Sequence, residues 1–547
     1  MQVSDIITQT KKMIDDLKAI CTNFGLGNAS SEYKIITEVF LYKFLNDKFM
    51  YEARLVLPRF SKMTTAEVEA AMNEMSEDDY ELMLMDFGGD TANLKRKHYI
   101  SYLFNRKNQD GFHTLFDDTL IDIANFNIGI FSVQTGGQSK IRLFDALSPF
   151  VIEQEKRDNF CRALIEKLVG YSFDSVFDQK YDFFSTIFEY LIKDYNKDFG
   201  KYAEYYTPHS IAGIIAKILV PEGAQNVTIY DPAAGSGTLV LALAHEIGET
   251  KCSIYTQDIS QKSNEFLRLN LILNNLVHSL PNVMHEDTLL NPKHLNERKD
   301  GLMTFDYIVS NPPFNMDFSD SRNTLAGEKY QKRFFAGVPN IPNKDKSGMA
   351  IYLMFLQHII YSLDEKKGKA AVVVPTGFLT AGSGIQKKIR EKLVKERMLR
   401  GVISMPSNIF ATTGTNVSIL FIDCENTEGK VVLMDASKMG RKVKEDGKNQ
   451  KTVLSPVEIS TIINTFNLAK ATEDFCVVVE YRDIEKKKLS FSAGQYFDVK
   501  IEHVEITQEE FKDKMTGYKS RLESMFANGL ELEKEITKQL GRVKYEK

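Results

Sequence analysis

Asn311-Pro312-Pro313-Phe314 follows directly on the apolar run Tyr307-Ile308-Val309-Ser310. Two consecutive prolines fix φ and remove two backbone donors, so the chain leaves helix and strand alike and turns its carbonyls outward. Beside the plain reading as an ordinary loop, an amide oxygen, a carbonyl and an aromatic face at a strand end suit gripping an amino nitrogen, such as that of adenine. Such a nitrogen is a poor nucleophile because its lone pair is delocalised into the ring. Hydrogen bonds from it to the Asn311 side-chain oxygen and the Pro312 carbonyl favour a tetrahedral nitrogen with a localised lone pair. Phe314 offers the face on which the ring stacks. Catalysis of this kind is mostly in-line positioning of an electrophile, with no covalent enzyme intermediate.

A second constellation lies upstream. Asp231-Pro232-Ala233-Ala234-Gly235-Ser236-Gly237-Thr238 follows the run Val227-Thr228-Ile229-Tyr230 and precedes a helical pattern. Glycines there let backbone approach a ligand closely, and a helix amino terminus favours a carboxylate or phosphate. No Gly-Lys-Ser/Thr follows, and no third glycine stands at dinucleotide spacing, so neither phosphate-loop motif is met. About twenty residues on, Asp258 ends the run Ser253-Ile254-Tyr255-Thr256, where an acid can accept both hydroxyls of a ribose. Asp287 and Thr288 end a third run, with Asp287 suited to the amino group of a cofactor's adenine. The order of glycine turn, ribose acid, third acid and Asn-Pro-Pro-Phe gives each motif its context.

The elements that must position these residues are strands alternating with helices. The three runs above, Ala370–Val374, Gly401–Ile403 and Val417–Ile422 predict an α/β, Rossmann-like, doubly wound sheet, with ligands beyond the strands' carboxyl ends. Residues 1–165 read as a helical amino-terminal domain, from faces such as Ile36, Val39, Phe40, Phe44 and Val68, Met72, Met75. Residues 166–430 are the expected sheet domain, beginning with a helical pattern over 174–195. Residues 431–547 are an expected extension, polar and loop-rich at first. Within it Phe511, Met515, Tyr518, Leu522 and Met525 repeat at 4-3-4-3 spacing, predicting a partner-binding helix over about 508–543 interrupted at Asn528-Gly529.

Composition narrows the class. The 547 residues are 43% hydrophobic and 26% charged with net charge -5, ordinary for a globular protein but acidic for one that grips nucleic acid unaided. Five scattered cysteines without Cys-x-x-Cys spacing give neither a disulfide framework nor a metal site, and point to a reducing, cytoplasmic compartment. No apolar run reaches the roughly 18–20 residues a membrane span needs, and Met1–Asp5 lacks a secretion pattern.

The tetrad, the glycine turn and the segment Gly200-Lys201-Tyr202-Ala203-Glu204-Tyr205-Tyr206-Thr207-Pro208-His209 together resemble the N6-adenine-specific M (modification, HsdM-like) subunits of Type I restriction–modification systems. The resemblance covers about residues 174–423. It implies S-adenosylmethionine as cofactor and a flipped adenine of double-stranded DNA as substrate, with Asn311, Pro312, Pro313 and Phe314 catalytic. It implies a cofactor site formed by Glu204, Tyr205, Tyr206, Thr207, Pro208, His209, Asp231, Gly235, Ser236, Gly237, Thr238, Asp258, Asp287 and Thr288. It also implies a specificity (S) subunit that reads sequence, two M chains per S chain, and a nuclease/translocase (R) subunit, which suits the acidic charge and the lack of a strand-rich recognition region after Asp423. Rival readings are another acceptor amino nitrogen (cytosine N4 or protein glutamine) or a mainly scaffolding subunit. The segment between Phe314 and Ala350, with Arg322, Lys329, Tyr330, Lys332, Arg333, Phe334 and Phe335, is either a closure over the flipped base or a solvated loop.

Overall fold

β-Branched runs such as Val372-Val373-Val374 are fully buried, which is the signature of strands covered on both faces. In a computed structural model these runs lie in a sheet of eleven strands. The described residues are 3–27, 31–89, 91–135, 140–174, 177, 186–187, 190, 207–410, 416–426, 429–445, 449–497 and 507–540. In chain order the strands are β1 (Val133–Thr135), β2 (Lys140–Ile141), β3 (Val227–Asp231), β4 (Cys252–Asp258), β5 (Val283–His285), β6 (Tyr307–Ser310), β7 (Lys369–Pro375), β8 (Leu399–Ser404), β9 (Val417–Asp423), β10 (Lys430–Asp435) and β13 (Cys476–Glu480). A separate hairpin is formed by β11 (Arg441–Glu445) and β12 (Asn449–Val453). The sheet order is β13-β10-β8-β9-β7-β6-β3-β4-β5-β1-β2.

The segment from β7 through β6, β3, β4 and β5 to β1 is parallel. Helices Thr238–Ile247, Gln261–Leu273 and Tyr352–Ser362 connect these strands, as the predicted doubly wound α/β fold requires. The order turns from β3 outward in both directions, so the carboxyl ends of β3, β4 and β6 share one sheet edge.

Three features depart from the sequence reading. The helical amino-terminal region contributes β1 and β2 to the edge of the sheet, and its helices Val3–Asn23 and Glu32–Val56 share one apolar core with the strands. Tyr33 donates to Glu265 (3.1 Å) and Lys48 to Asn275 (2.8 Å) across that junction. The sheet also continues past residue 430: β10 pairs parallel with β8 and antiparallel with β13, so the polar segment carries two more strands. Finally, the helix Gln508–Leu540 is continuous through Asn528-Gly529, because one glycine costs only about 1 kcal/mol and good helix formers flank it. The expected helix over 174–195 falls largely outside the described residues.

The chain divides into two units, Met1–Tyr496 and Phe497–Lys547. No helix among the described residues is long and apolar enough to cross a membrane.

Candidate functional site

Register brings the site together. Asp231 pairs with Thr256 and Asp258 with His285, while Tyr230 faces Ile308. Extending that register by a few residues sets the Asn311 turn, the Ala233 turn and Asp258 at one level on adjacent strands. Neighbouring strands lie about 4.8 Å apart, so residues dispersed over 231–311 meet at one edge of the sheet.

The glycine turn is built around two left-handed positions, Gly235 (φ 54°) and Gly237 (φ 83°). The φ of Gly237 strains any other residue, and a Cβ there would also crowd the Leu267 side chain. The Gly237 N–H donates to Ala234 O at 2.8 Å, and the Leu241 N–H donates to Gly237 O at 3.0 Å to start the helix Thr238–Ile247. Asn270 fixes the Ser236 carbonyl at 3.1 Å, and the Ser236 and Thr238 hydroxyls are 3.2 Å apart.

Asp258 is half-buried and its carboxylate accepts the Gly235 N–H at 2.9 Å and the Ser260 N–H at 2.8 Å. The acid therefore holds the glycine turn to the end of β4, and each oxygen keeps lone-pair capacity for a ligand hydroxyl. Burial raises its carboxyl above the usual range, against these two hydrogen bonds. Asp231, at the end of β3, is buried and accepts the Ser310 hydroxyl at 2.8 Å and the Ala233 N–H at 3.0 Å. Burial, reinforced by nearby Asp258, pushes its carboxyl up to about 7 despite both donors. Asp231 thus ties β3 to the residue immediately before Asn311.

Asn311 is only 7% exposed, so its amide must be satisfied inside the protein. Its Nδ2 donates to Thr207 Oγ1 at 3.3 Å. That contact joins the Thr-Pro segment to the tetrad across 104 residues and leaves Oδ1 as the amide's acceptor. Thr207 and Pro208 are buried, and His209 opens the helix His209–Leu219. Phe314 is half-buried, with its ring edge-on to Tyr352 (centroids 6.3 Å apart, 77° between planes). Tyr352 in turn meets Phe378 edge-on.

The Thr288 hydroxyl donates to Pro232 O at 2.7 Å, tying the end of β5 to the β3 turn. Asp287 Oδ1 accepts the N–H groups of Leu289 and Leu290 at 2.8 and 3.0 Å. Among the described residues it makes no direct hydrogen bond to the other site residues. Glu204, Tyr205 and Tyr206 lie outside the described residues. The residues the sequence did not single out are Ser310, Asn270, Leu267 and Tyr352. Ser310 carried a signal, a small polar residue abutting the tetrad; the others act through tertiary contacts that no spacing announces.

Between Phe314 and Ala350 the chain is a packed unit. Phe318, Leu325, Phe334, Met349, Met354 and Phe355 form an apolar cluster. Buried Arg333 donates to Leu289 O and lies against Phe334 (4.5 Å), and burial lowers its guanidinium to about 10. Arg333 and Phe334 therefore serve packing, while Lys329 and Lys332 are exposed.

The residues fit a nucleoside-bearing, carboxylate-bearing cofactor: glycine backbone at a helix amino terminus, an acid at the next strand end and an amide acceptor beside them. The N-6 DNA Methylase family matches residues 179–504. The methylase subunit of the Mycoplasma pneumoniae Type I restriction enzyme MpnII is 28% identical over 418 residues, covering 73% of each chain. That of the Methanocaldococcus jannaschii enzyme MjaVIII is 25% identical over 518 residues, covering 91% of this chain and 82% of the relative. In fold, the chain is similar to the methyltransferase subunit of a type I restriction-modification system from Streptococcus thermophilus (TM-score 0.70, 20% identity, 90% of this chain and 100% of that one).

Proposed function

Because this chain belongs to the N-6 DNA Methylase family and is a DNA adenine methyltransferase of the modification-subunit kind, we propose a division of labour among its residues. S-adenosylmethionine, when bound, supplies an electrophilic methyl on a sulfonium with a neutral leaving group. Gly235, Ser236, Gly237 and Thr238 form its backbone cradle beside Asp231, with Asp258 accepting its ribose hydroxyls. Asp287 and Thr288 flank its adenine, and Glu204, Tyr205, Tyr206, Thr207, Pro208 and His209 flank its methionine end. Asn311 Oδ1 and the Pro312 carbonyl accept the two protons of the target adenine's N6, Pro313 stiffens the turn, and Phe314 stacks on the base after it leaves the duplex. The observation that carries this reading is the Asn311–Thr207 hydrogen bond, which fixes the amide and leaves the oxygen as acceptor.

The second unit carries the partner-binding role. Its helix Gln508–Leu540 buries none of its side chains, and Phe511, Met515, Tyr518, Leu522 and Met525 are each more than half exposed. Such a stripe at coiled-coil spacing fits the helices of a specificity subunit; two such chains per specificity subunit, with a nuclease/translocase subunit joining for restriction, complete the assembly in the cytoplasm. In this scheme residues 1–165 brace the sheet domain, and 431–547 first add two strands to the sheet and then supply the partner-binding helix. The test is to co-express the chain with a specificity subunit and digest the DNA to nucleosides. N6-methyladenine is the expected product; N4-methylcytosine, or no methylated base, contradicts the reading.

A further inference from the structure

The β11–β12 hairpin has no part in the methyl-transfer site, yet its charge and its anchorage are unusual for an acidic chain. Between Lys438 and Lys451 the sequence holds six basic residues, Lys438, Arg441, Lys442, Lys444, Lys448 and Lys451, against two acidic ones, Glu445 and Asp446. Lys438, Arg441, Lys442 and Lys444 are exposed and Lys451 is half-buried. Among the described residues none of these five forms an ion pair. A solvated charge run needs no particular location, but this one is fixed in place. Thr452 is 3% exposed, its N–H donates to Asn408 O at 3.0 Å and its hydroxyl to Ser407 O at 2.7 Å. At the other strand's root, the Gly440 N–H donates to Glu458 at 2.7 Å, and Leu454 enters the apolar core.

The anchorage sets the hairpin's place relative to Asn311. Ser407 and Asn408 follow β8, and the hairpin itself follows β10. Strands β8 and β10 run parallel to each other, and β8 runs antiparallel to β9, itself antiparallel to β7. Their carboxyl ends therefore lie on the same sheet edge as the end of β6, where Asn311 stands. From β6 to β8 is three strand steps and to β10 four, or about 14–19 Å at ordinary strand spacing. A duplex turns once in about 34 Å and carries a charge every ~1.7 Å of axis. A duplex presenting a base to Asn311 thus has backbone phosphates within the hairpin's reach.

On the reading that the chain is a DNA methyltransferase, we infer that the β11–β12 hairpin is a DNA-backbone contact: Arg441, Lys442, Lys444 and Lys451 pair with phosphates flanking the flipped adenine. The contact is sequence-neutral, as phosphate contacts are, and it complements a specificity subunit that reads the bases.

The test replaces all four residues with Gln in the full-length chain and follows binding of a mixed-sequence duplex of about 30 base pairs by fluorescence anisotropy from about 50 to 200 mM salt. Each phosphate contact contributes about 0.9 to the slope of log K against log salt, so the expected result is a slope flattened by about three to four. The Lys442→Arg/Lys444→Arg/Lys451→Arg variant keeps the charge and should keep the wild-type slope. An unchanged slope in the Gln variant overturns the inference, and so does a flattened slope in the Arg variant. If the fourfold variant does not fold, a Lys442→Glu/Lys444→Glu variant, confined to two exposed positions, tests the same contact: a flattened slope supports it and an unchanged one overturns it. Calorimetric S-adenosylmethionine affinity and the wild-type complex's N6-methyladenine yield are read in parallel. Loss of those in wild type would count against the methyltransferase reading, whereas an unchanged slope with both intact counts against the hairpin alone and leaves it as a surface for an acidic protein.

Discussion

The turn at Asn311 and the helix Gln508–Leu540 place their polar and apolar groups in opposite ways. At the turn, Asp231, Ser310, Asn311 and Thr207 are polar and buried, each paired with another of the set. On the helix, Phe511, Tyr518, Leu522 and Ile536 are apolar and lie in water. Burying unpaired polar atoms costs a few kcal/mol each, and in the first region the Ser310–Asp231 and Asn311–Thr207 hydrogen bonds offset that cost within the chain. Exposing an apolar stripe forgoes about 25 cal/mol per Å², which docking on the proposed partner would recover. In the proposed function the site's contacts are self-contained within one unit, whereas the helix of the other is there for a partner.

The largest effect expected from this contrast falls on the helix. Changing Leu522 and Met525 together to Asp should abolish co-purification with a specificity subunit while leaving cofactor affinity and the thermal unfolding of residues 1–496 unaltered. Assembly that survives the double change would separate the stripe from partner binding.

The next effect is smaller and falls on the self-contained region. Asp258→Ala removes the acceptor of the Gly235 and Ser260 N–H groups along with the proposed ribose contact. S-adenosylmethionine affinity should fall about 10–100-fold, as expected for losing roughly 1.5–3 kcal/mol of charged hydrogen bonding. An unchanged calorimetric affinity would remove Asp258 from the site.

The smallest effect is a pH signature. With its carboxyl pushed up to about 7 in the fold, Asp231 keeps a proton that the unfolded chain releases near about 4. The folded state binds the extra proton over that window, so this residue's contribution to stability falls as pH rises from about 4 to about 7. Asp231→Asn removes the titration. Its melting temperature relative to wild type, both without cofactor, should therefore climb between about pH 5 and pH 8. A difference that stays flat across that range contradicts the burial of a titrating acid beneath the Asn311 turn.

Much of the site was legible because its chemistry is written in contiguous residues at strand ends. The six runs over Val227–Ile422 all form strands, and their alternation with helices places the ligand-facing turns at the strands' carboxyl ends. Strands β1 and β2, at three and two residues, are too short to carry periodicity and form where β5 offers an edge to β1 and β1 in turn to β2. The run Lys430–Asp435 is apolar enough to read, but its polar surroundings hid it until β8 and β13 supplied neighbours. In the segment after Phe314, sequence alone could not separate exposed cations from buried ones. Arg333 packs inside while Lys329 stays outside, a choice made by the aromatic rings around Arg333. The Asn311–Thr207 contact spans 104 residues, and only the fold brings its two ends together.

If Asn311 holds the acceptor nitrogen and does little for the cofactor, chemistry and cofactor binding must separate when it is removed. Asn311→Ala in the assembled complex probes this directly, with N6-methyladenine formation on duplex DNA measured alongside calorimetric S-adenosylmethionine affinity. The methylation rate should fall by at least about a hundredfold, as for loss of a transition-state hydrogen-bonding group, while cofactor affinity changes less than about threefold. A variant that methylates at the wild-type rate, or one that loses rate and cofactor affinity in parallel, would contradict that role for Asn311.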